Sequence, residues 1–260
     1  QNGAYSIASD CPFCPGNESQ TPKEIDRIVG TDNAISQWLT RVIPNQYPIT
    51  DIHEIIIHNP DHCKEIEDLS LFEMKQVMIM YQKRLQTLSN DGVPILFRNK
   101  GEIAGTSMPH PHSQIIVLPK QINLGALSLE PLHNIVYRNN YFVMYCPDFS
   151  QYPYEVWITH SRLIGIEIRS EVVSNVNFTA FTPEELEDLG AIMQELIRAM
   201  KKLLGDDFAY NYYISPYPPF YLRIIPRVLI RGGFELGTGL STNTVDPRDA
   251  AEELKKYLTR

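Results

Sequence analysis

Two stretches with helical spacing of apolar residues stand roughly 110 residues apart, and each lies between two pairs of strand-like runs. The first opens on Ser70-x-x-Glu73, a capping box, and carries Phe72, Met74, Met78, Tyr81, Leu85 and Leu88 at near-helical intervals. The second opens on Thr182-Pro183-Glu184-Glu185, with cap, first-turn proline and box acid in place. Its apolar face is Leu186, Leu189, Met193, Leu196, Met200 and Leu203. RVIPNQYPI and HEIIIHN precede the first helix, and PILFRN and SQIIVLP follow it. YFVMYC and YEVWITH precede the second, and FAYNYYIS and YLRIIPR follow it. A strand-strand-helix-strand-strand unit that occurs twice predicts an α+β fold of two duplicated units, each an antiparallel sheet with a helix packed across it. The expected division is 1–122 and 123–260, with 121–137 as the connection. A last helix is expected from Asp246-Pro247 through Ala250, Leu254 and Leu258.

Charge and composition exclude several partners. The net charge is −8 and the basic residues are scattered, which argues against a nucleic-acid groove or an anionic membrane surface. No apolar run approaches the roughly 18 to 20 residues that span a bilayer. The opening QNGAYSIASD has neither a basic start nor an apolar segment, so a cytoplasmic protein is expected. A first residue other than Met suggests a trimmed or incompletely represented chain.

Four cysteines, two of them as Cys11-Pro-Phe-Cys14, read as metal ligands or redox thiols rather than a disulfide framework. A redox pair belongs at a helix N-terminus after a strand, and nothing around DCPFCPGNE has that pattern. Two thiolates at this spacing can hold one Zn²⁺, which needs further His or Cys ligands. The candidates are His62, Cys63 and His110, with His53 and His58 as outsiders.

The densest chemistry lies in FRNKGEIAGTSMPHPHSQIIVLP. Gly101 and Gly105 permit close backbone approach, and Thr106 and Ser107 add hydroxyls. His110, His112 and Gln114 then alternate at a spacing of two, which on a strand puts all three side chains on one face. A neutral imidazole attacks phosphorus well near pH 7, because its ordinary pKa is about 6.5. A backbone carbonyl in a turn stiffened by Pro109 and Pro111 can fix its tautomer. Backbone amides, Ser107 and Gln114 can hold the nonbridging oxygens. A plain metal-binding or turn sequence would account for the histidines but not for the glycines, Ser107 and Gln114 beside them.

With these segments in view, the sequence resembles the galactose-1-phosphate uridylyltransferase branch of the histidine-triad superfamily, which also contains ADP-glucose phosphorylase and diadenosine tetraphosphate phosphorylase. The matching pieces are CPFCPGNE, PNQYP, HE…NPDH, the stretch Asn99 to Gln114, GGFELGTG and NTVDPRDAA, in the expected order along nearly the whole chain. The resemblance implies duplicated histidine-triad-like units and one structural Zn²⁺ held by Cys11, Cys14, His62 and His110. It implies that His112 is the nucleophile, with Ser107 and Gln114 beside it, and that Asn45, Gln46 and Tyr47 contact the nucleoside. Asn99 and Gly105 fall where the family meets phosphate or supports the histidine, and Phe234 and Glu235 where it meets the sugar. The implied reaction moves a nucleoside monophosphate from a nucleotide sugar to a hexose 1-phosphate or phosphate, in galactose or related carbohydrate metabolism. A homodimer is implied as well.

Gln114 stands where triad hydrolases carry a third histidine, which favours transfer over hydrolysis of a dinucleoside polyphosphate. Relatives often carry a late H-x-H belonging to a second metal site; here the matching stretch is Pro219-Phe220-Tyr221, so that site is expected to be missing. With the short lead-in before Cys11, this motivates the alternative of a noncatalytic nucleotide-binding homologue. Cys146 is expected in the core, His133 carries no signal, and His160 with Arg162 is expected either at a substrate or in a solvated loop.

Overall fold

The structure is a computed structural model that describes residues 10–30, 38–120, 132–164 and 176–258. Its described residues divide into two compact units that interleave along the chain. The described residues of one fall within Gln1–Arg98, Thr106–Leu124 and Phe181–Gln194; those of the other fall within Asn99–Gly105, Gly125–Ala180 and Glu195–Arg260.

In the first unit, β1 (Asp26–Val29), β2 (Trp38–Pro44), β3 (His53–Ile57), β4 (Val93–Lys100, whose last two residues fall in the second unit) and β5 (His112–Leu118) form an antiparallel sheet in the order β1-β2-β3-β5-β4. The run RVIPNQYPI yields only the end of β2. Pro44 closes the strand, and Asn45 turns the chain by accepting from the Tyr47 amide at 2.9 Å. Between β3 and β4 runs α1 (Leu71–Leu88), which buries Met74, Val77, Met78, Met80, Tyr81, Leu85 and Leu88. Phe72, expected on that face, is exposed at the first turn. Across β3, Arg84 of α1 makes a buried two-pronged ion pair with Glu54, at 2.8 and 2.7 Å.

The capping box of α1 forms as the sequence predicts, and Glu73 does more than cap. It accepts from the Ser70 amide at 2.8 Å, from Lys64 at 2.8 and 2.9 Å, and from Asn59 Nδ2 at 2.9 Å. Partial burial works to raise its pKa, but Lys64 and the cap bonds outweigh that and bring it down to about 2. A carboxyl held below its unfolded value of about 4.3 stabilises the fold above that pH, and the contribution fades as pH falls toward 2. Glu73→Gln is therefore expected to cost about 2 kcal/mol at pH 7. The gap between variant and parent in denaturant unfolding should start to close below about pH 5. A gap that stays constant to pH 4 would contradict this account.

The second unit repeats the connectivity. It contains β6 (Ile135–Arg138), β7 (Phe142–Tyr145), β8 (Val156–His160), β9 (Tyr210–Ile214) and β10 (Tyr221–Pro226), in the order β9-β10-β8-β7-β6. The pairings β1·β2, β2·β3, β3·β5 and β5·β4 recur as β6·β7, β7·β8, β8·β10 and β10·β9, all antiparallel. So the duplicated α+β architecture read from the sequence is present, and the observed strand pairings, on which the sequence is silent, repeat as well. Of the expected connection, 121–131 lies outside the described residues, and Ile135–Arg138 is a strand. Helix α2 (Pro183–Leu204) follows β8 as expected. A short α3 (Gly233–Thr238) was not foreseen, and α4 (Pro247–Tyr257) begins on its Asp246 cap, buries Ala250, Ala251 and Leu254, and lies against β6.

Tyr221 opens β10 as His112 opens β5, so Pro219-Phe220-Tyr221 takes the place of His110-Pro111-His112 in the second repeat. Tyr221 stacks on Trp157 at 4.3 Å, and Arg223 pairs with the buried Glu155 at 2.7 Å. The second repeat puts aromatic packing and an ion pair where the first carries histidines. Cys146 is buried, as expected. His160 is buried rather than solvated, accepting from the Arg162 amide at 3.1 Å, while His133 is exposed and paired with Asp148 at 2.8 Å. Among the described residues, no helix is long and apolar enough to cross a membrane.

Candidate active site and metal centre

Four potential metal ligands converge in the first unit. Ligand atoms of Cys11, Cys14, His62 and His110 all lie within 4.8 Å of one another, and this group could hold a metal ion. The Cys11–Cys14 segment closes as a tight turn, with the Cys14 amide donating to the Cys11 carbonyl at 3.1 Å. Asn17 Nδ2 donates to the same carbonyl at 2.8 Å, and Gly16 supplies the positive φ of +90° that the reversal requires. Cys63 is exposed and outside the group, so of the two competing residues it is His62 that joins the candidate group. Burial, then the neighbouring Cys11, pushes the Cys14 thiol up to about 12. Thiolates in this pocket thus need a cation to balance them.

His110 is oriented for that role from behind. Its Nε2–H donates to the Asn59 carbonyl at 2.8 Å, which leaves Nδ1 unprotonated, 3.5 Å from Cys14 Sγ and 3.7 Å from Cys11 Sγ. The expectation that His110, His112 and Gln114 share one face fails at its first member. His110 precedes β5, and with Pro111 between them its side chain turns to the cysteines. His112 and Gln114, both within β5, do share a face and line one cavity.

That cavity measures about 660 Å³, inside the usual range for small-molecule sites. Its lining brings together His112, Gln114, Ser107, Asn45, Gln46 and Tyr47, six of the residues singled out in the sequence. Phe13, Met108, Ile43 and Ile55 supply apolar wall, while Gln20 and Thr21 add polar groups that the sequence did not suggest. Phe13 also meets the rings of His110 and His112 edge-on, at 6.0 and 5.5 Å, so the cysteine turn packs directly against the histidine pair. Asn99, Gly105, Phe234 and Glu235 are not among the lining residues. In the second unit, Asn99 Oδ1 accepts from Asn211 at 2.8 Å, and Gly105 takes a positive φ of +87° at the end of a short turn. Phe234 is half exposed on α3, and Glu235 caps its own helix through the Gly232 amide at 2.9 Å.

His112 is held in a fixed orientation in the cavity wall. Its Nδ1–H donates to the His110 carbonyl at 2.8 Å, which fixes the tautomer and leaves Nε2 with its lone pair. Burial is the main cause that lowers its pKa to about 4, with Arg98 also lowering it and the His110 carbonyl opposing. The ring is therefore neutral at pH 7 and can act as a nucleophile. Behind it, Ser113, Tyr81 and His58 form a polar cluster, with separations of 2.6, 2.8 and 2.9 Å. Neither His58 nor His53, both weighed as metal ligands in the sequence, joins the metal group.

Residues 46–120 match the family described as galactose-1-phosphate uridyl transferase, N-terminal domain. Among curated proteins, the chain is 27% identical to the ADP-glucose phosphorylase of Arabidopsis thaliana, over 95% of this chain and 82% of that one. It is 23% identical to the galactose-1-phosphate uridylyltransferase of Thermotoga maritima, over 95% of this chain and 89% of that one. Among solved structures, a GALT-like protein from Arabidopsis thaliana aligns with a TM-score of 0.80 at 25% identity, over 96% of this chain and 93% of the other.

Proposed function

We propose, from the match of residues 46–120 to the galactose-1-phosphate uridyl transferase N-terminal domain and the likeness of nearly the whole chain to an ADP-glucose phosphorylase and a galactose-1-phosphate uridylyltransferase, that this protein moves a nucleoside monophosphate from a nucleotide sugar to phosphate or a hexose 1-phosphate, by way of a nucleotidyl-His112. The observation that carries this reading is the neutral His112 ring in the cavity wall, with Nδ1 committed to a carbonyl and Nε2 left unprotonated.

The chemistry runs in two displacements. His112 Nε2 forms a bond to the α-phosphorus of the donor, and the bond from that phosphorus to the bridging oxygen breaks. The sugar 1-phosphate leaves with the electron pair, and the His110 carbonyl takes up the partial positive charge on the ring. An oxygen of phosphate or of a second sugar 1-phosphate then attacks the same phosphorus and expels the imidazole. Ser107 and Gln114 are assigned to the nonbridging oxygens, and Asn45, Gln46 and Tyr47 to the nucleoside. Gln114 cannot act as an acid or base, which favours a phosphate acceptor over water. On the resemblance of GGFELGTG alone, Phe234 and Glu235 are assigned to the sugar; on that of the Asn99–Gln114 stretch, Asn99 and Gly105 are assigned to phosphate contact or support of the histidine.

The metal is assigned as zinc. With Zn–S about 2.3 Å and Zn–N about 2.05 Å, a tetrahedron puts sulfur and nitrogen about 3.6 Å apart. The S···N distances here are 3.4, 3.5 and 3.7 Å. Four protein ligands leave no position for water, so the ion is structural.

The test is intact mass after incubation with UDP-glucose, and separately with ADP-glucose, without acceptor. One donor should add the mass of its nucleoside monophosphate and release a stoichiometric sugar 1-phosphate. The donor that does so names the base. Steady nucleotide release to water without any adduct would replace this reading by hydrolysis.

A further inference from the structure

His53 is nearly fully buried on β3, outside the metal group and without a part in the displacement. Its ring is nonetheless tied into the cavity wall. In the β3·β5 register Ile55 faces Gln114 and His53 faces Ile116, which makes His53 and Gln114 diagonal neighbours. The Ile49 amide donates to His53 Nδ1 at 3.3 Å. A backbone N–H can only donate, so Nδ1 is the accepting nitrogen and the neutral ring carries its proton on Nε2. Burial lowers the pKa of His53 and so favours the neutral ring, with Gln114 opposing.

Nε2 lies 2.8 Å from Gln114 Oε1, and its proton goes there. Asn45 Nδ2 is 3.1 Å from the same Nε2. Asn45 Oδ1 is already occupied by the Tyr47 amide at 2.9 Å, so the Asn45 amide cannot flip to accept. A protonated Nε2 cannot accept from Asn45 Nδ2, so Gln114 Oε1 is the partner that the ring serves in this tautomer. We infer that His53 is a positioning residue for the transfer: by holding the Gln114 carbonyl oxygen it presents the Gln114 amide nitrogen as a donor to the group bound beside His112. An unrestrained glutamine would offer oxygen or nitrogen about equally, and an oxygen facing a phosphoryl oxygen repels it.

This inference rests on the nucleotidyl-transfer reading for its kinetic consequence, but its tautomer can be tested without any substrate. Long-range proton–nitrogen NMR on nitrogen-15-labelled protein should show His53 as the Nε2–H tautomer at pH 7; an Nδ1–H tautomer overturns it. Two variants then separate its contacts. His53→Asn puts an amide near Nδ1 and keeps an acceptor for Ile49, but loses the donor to Gln114. His53→Gln puts an amide near Nε2 and keeps that donor. Single-turnover formation of the nucleotidyl-enzyme should fall about 10- to 100-fold in His53→Asn with donor affinity little changed, and His53→Gln should recover most of the rate. On a Gln114→Ala background, His53→Asn should have no further effect. Equal rates in the two His53 variants, or an additive loss on Gln114→Ala, would overturn the positioning role. A parent enzyme that forms no adduct with either nucleotide sugar would defeat the transfer reading, while the NMR result would still judge the tautomer.

Discussion

Changing His112 to alanine is expected to lower nucleotidyl transfer by at least about 10⁴-fold, since a covalent route without its nucleophile has no first step. Both half-reactions should be lost together. The variant should show no gain in mass with either nucleotide sugar, and it should not exchange labelled sugar 1-phosphate into the donor. The fold should survive, because the ring is a wall of the cavity and the metal ligands are other residues. Its melting temperature should stay within a few degrees of the parent and its metal content should be unchanged. Turnover near the parent rate would end the covalent mechanism. A loss of metal along with activity would show instead that His112 acts through the metal group.

The second large effect is on stability. Cys11 and Cys14 are buried against Phe13, Trp38, Ile43, Ile55 and Ile57, at the point where the N-terminal turn meets the sheet. Without a cation, two buried thiols and two histidines lose the ion that joins residues nearly a hundred positions apart. Cys11→Ser, or removal of the metal by a chelator, should cost about 3–5 kcal/mol, which for a chain of this size is a fall in melting temperature on the order of 10 °C. Protein that remains folded should keep a measurable fraction of its transfer rate, because none of the four ligands touches the donor in this mechanism. Zinc content by atomic spectroscopy and differential scanning calorimetry decide it. An unchanged melting temperature in metal-free protein would refute the structural role.

Much of this was legible in the sequence, for identifiable reasons. The two capped helices and the longer strands carry their own periodicity, so they can be read locally. The edge strands β1 and β6 could not be read this way. Each is four residues long, and DRIV has the half-exposed pattern of an edge strand rather than an apolar run. The spacing of Cys11, Cys14, His62 and His110 implied a metal only because two cysteines sit in one turn, and no spacing rule chose His62 over Cys63. The one-face reading of His110, His112 and Gln114 assumed a strand where Pro111 ends it. The link from His53 to Gln114 is a diagonal across two strands 61 residues apart in sequence. Only a register can show such a pair, and the register is set by the packing of the whole sheet. Phe13 reaches the two histidines in the same non-local way.

The double bond-making of His110 has a consequence for how this site can vary. Its imidazole belongs to the metal group, while its main-chain carbonyl holds the tautomer of His112. The first duty depends on side-chain chemistry and the second only on where the peptide unit points, which any residue of the same φ and ψ could supply. A cysteine at this position, itself a zinc ligand, would satisfy both demands, whereas a residue that binds no metal would disturb the nucleophile only as far as the backbone drifted. Structural anchoring and chemical activation are thus written in separate alphabets at one position, one of side chains and one of peptide planes.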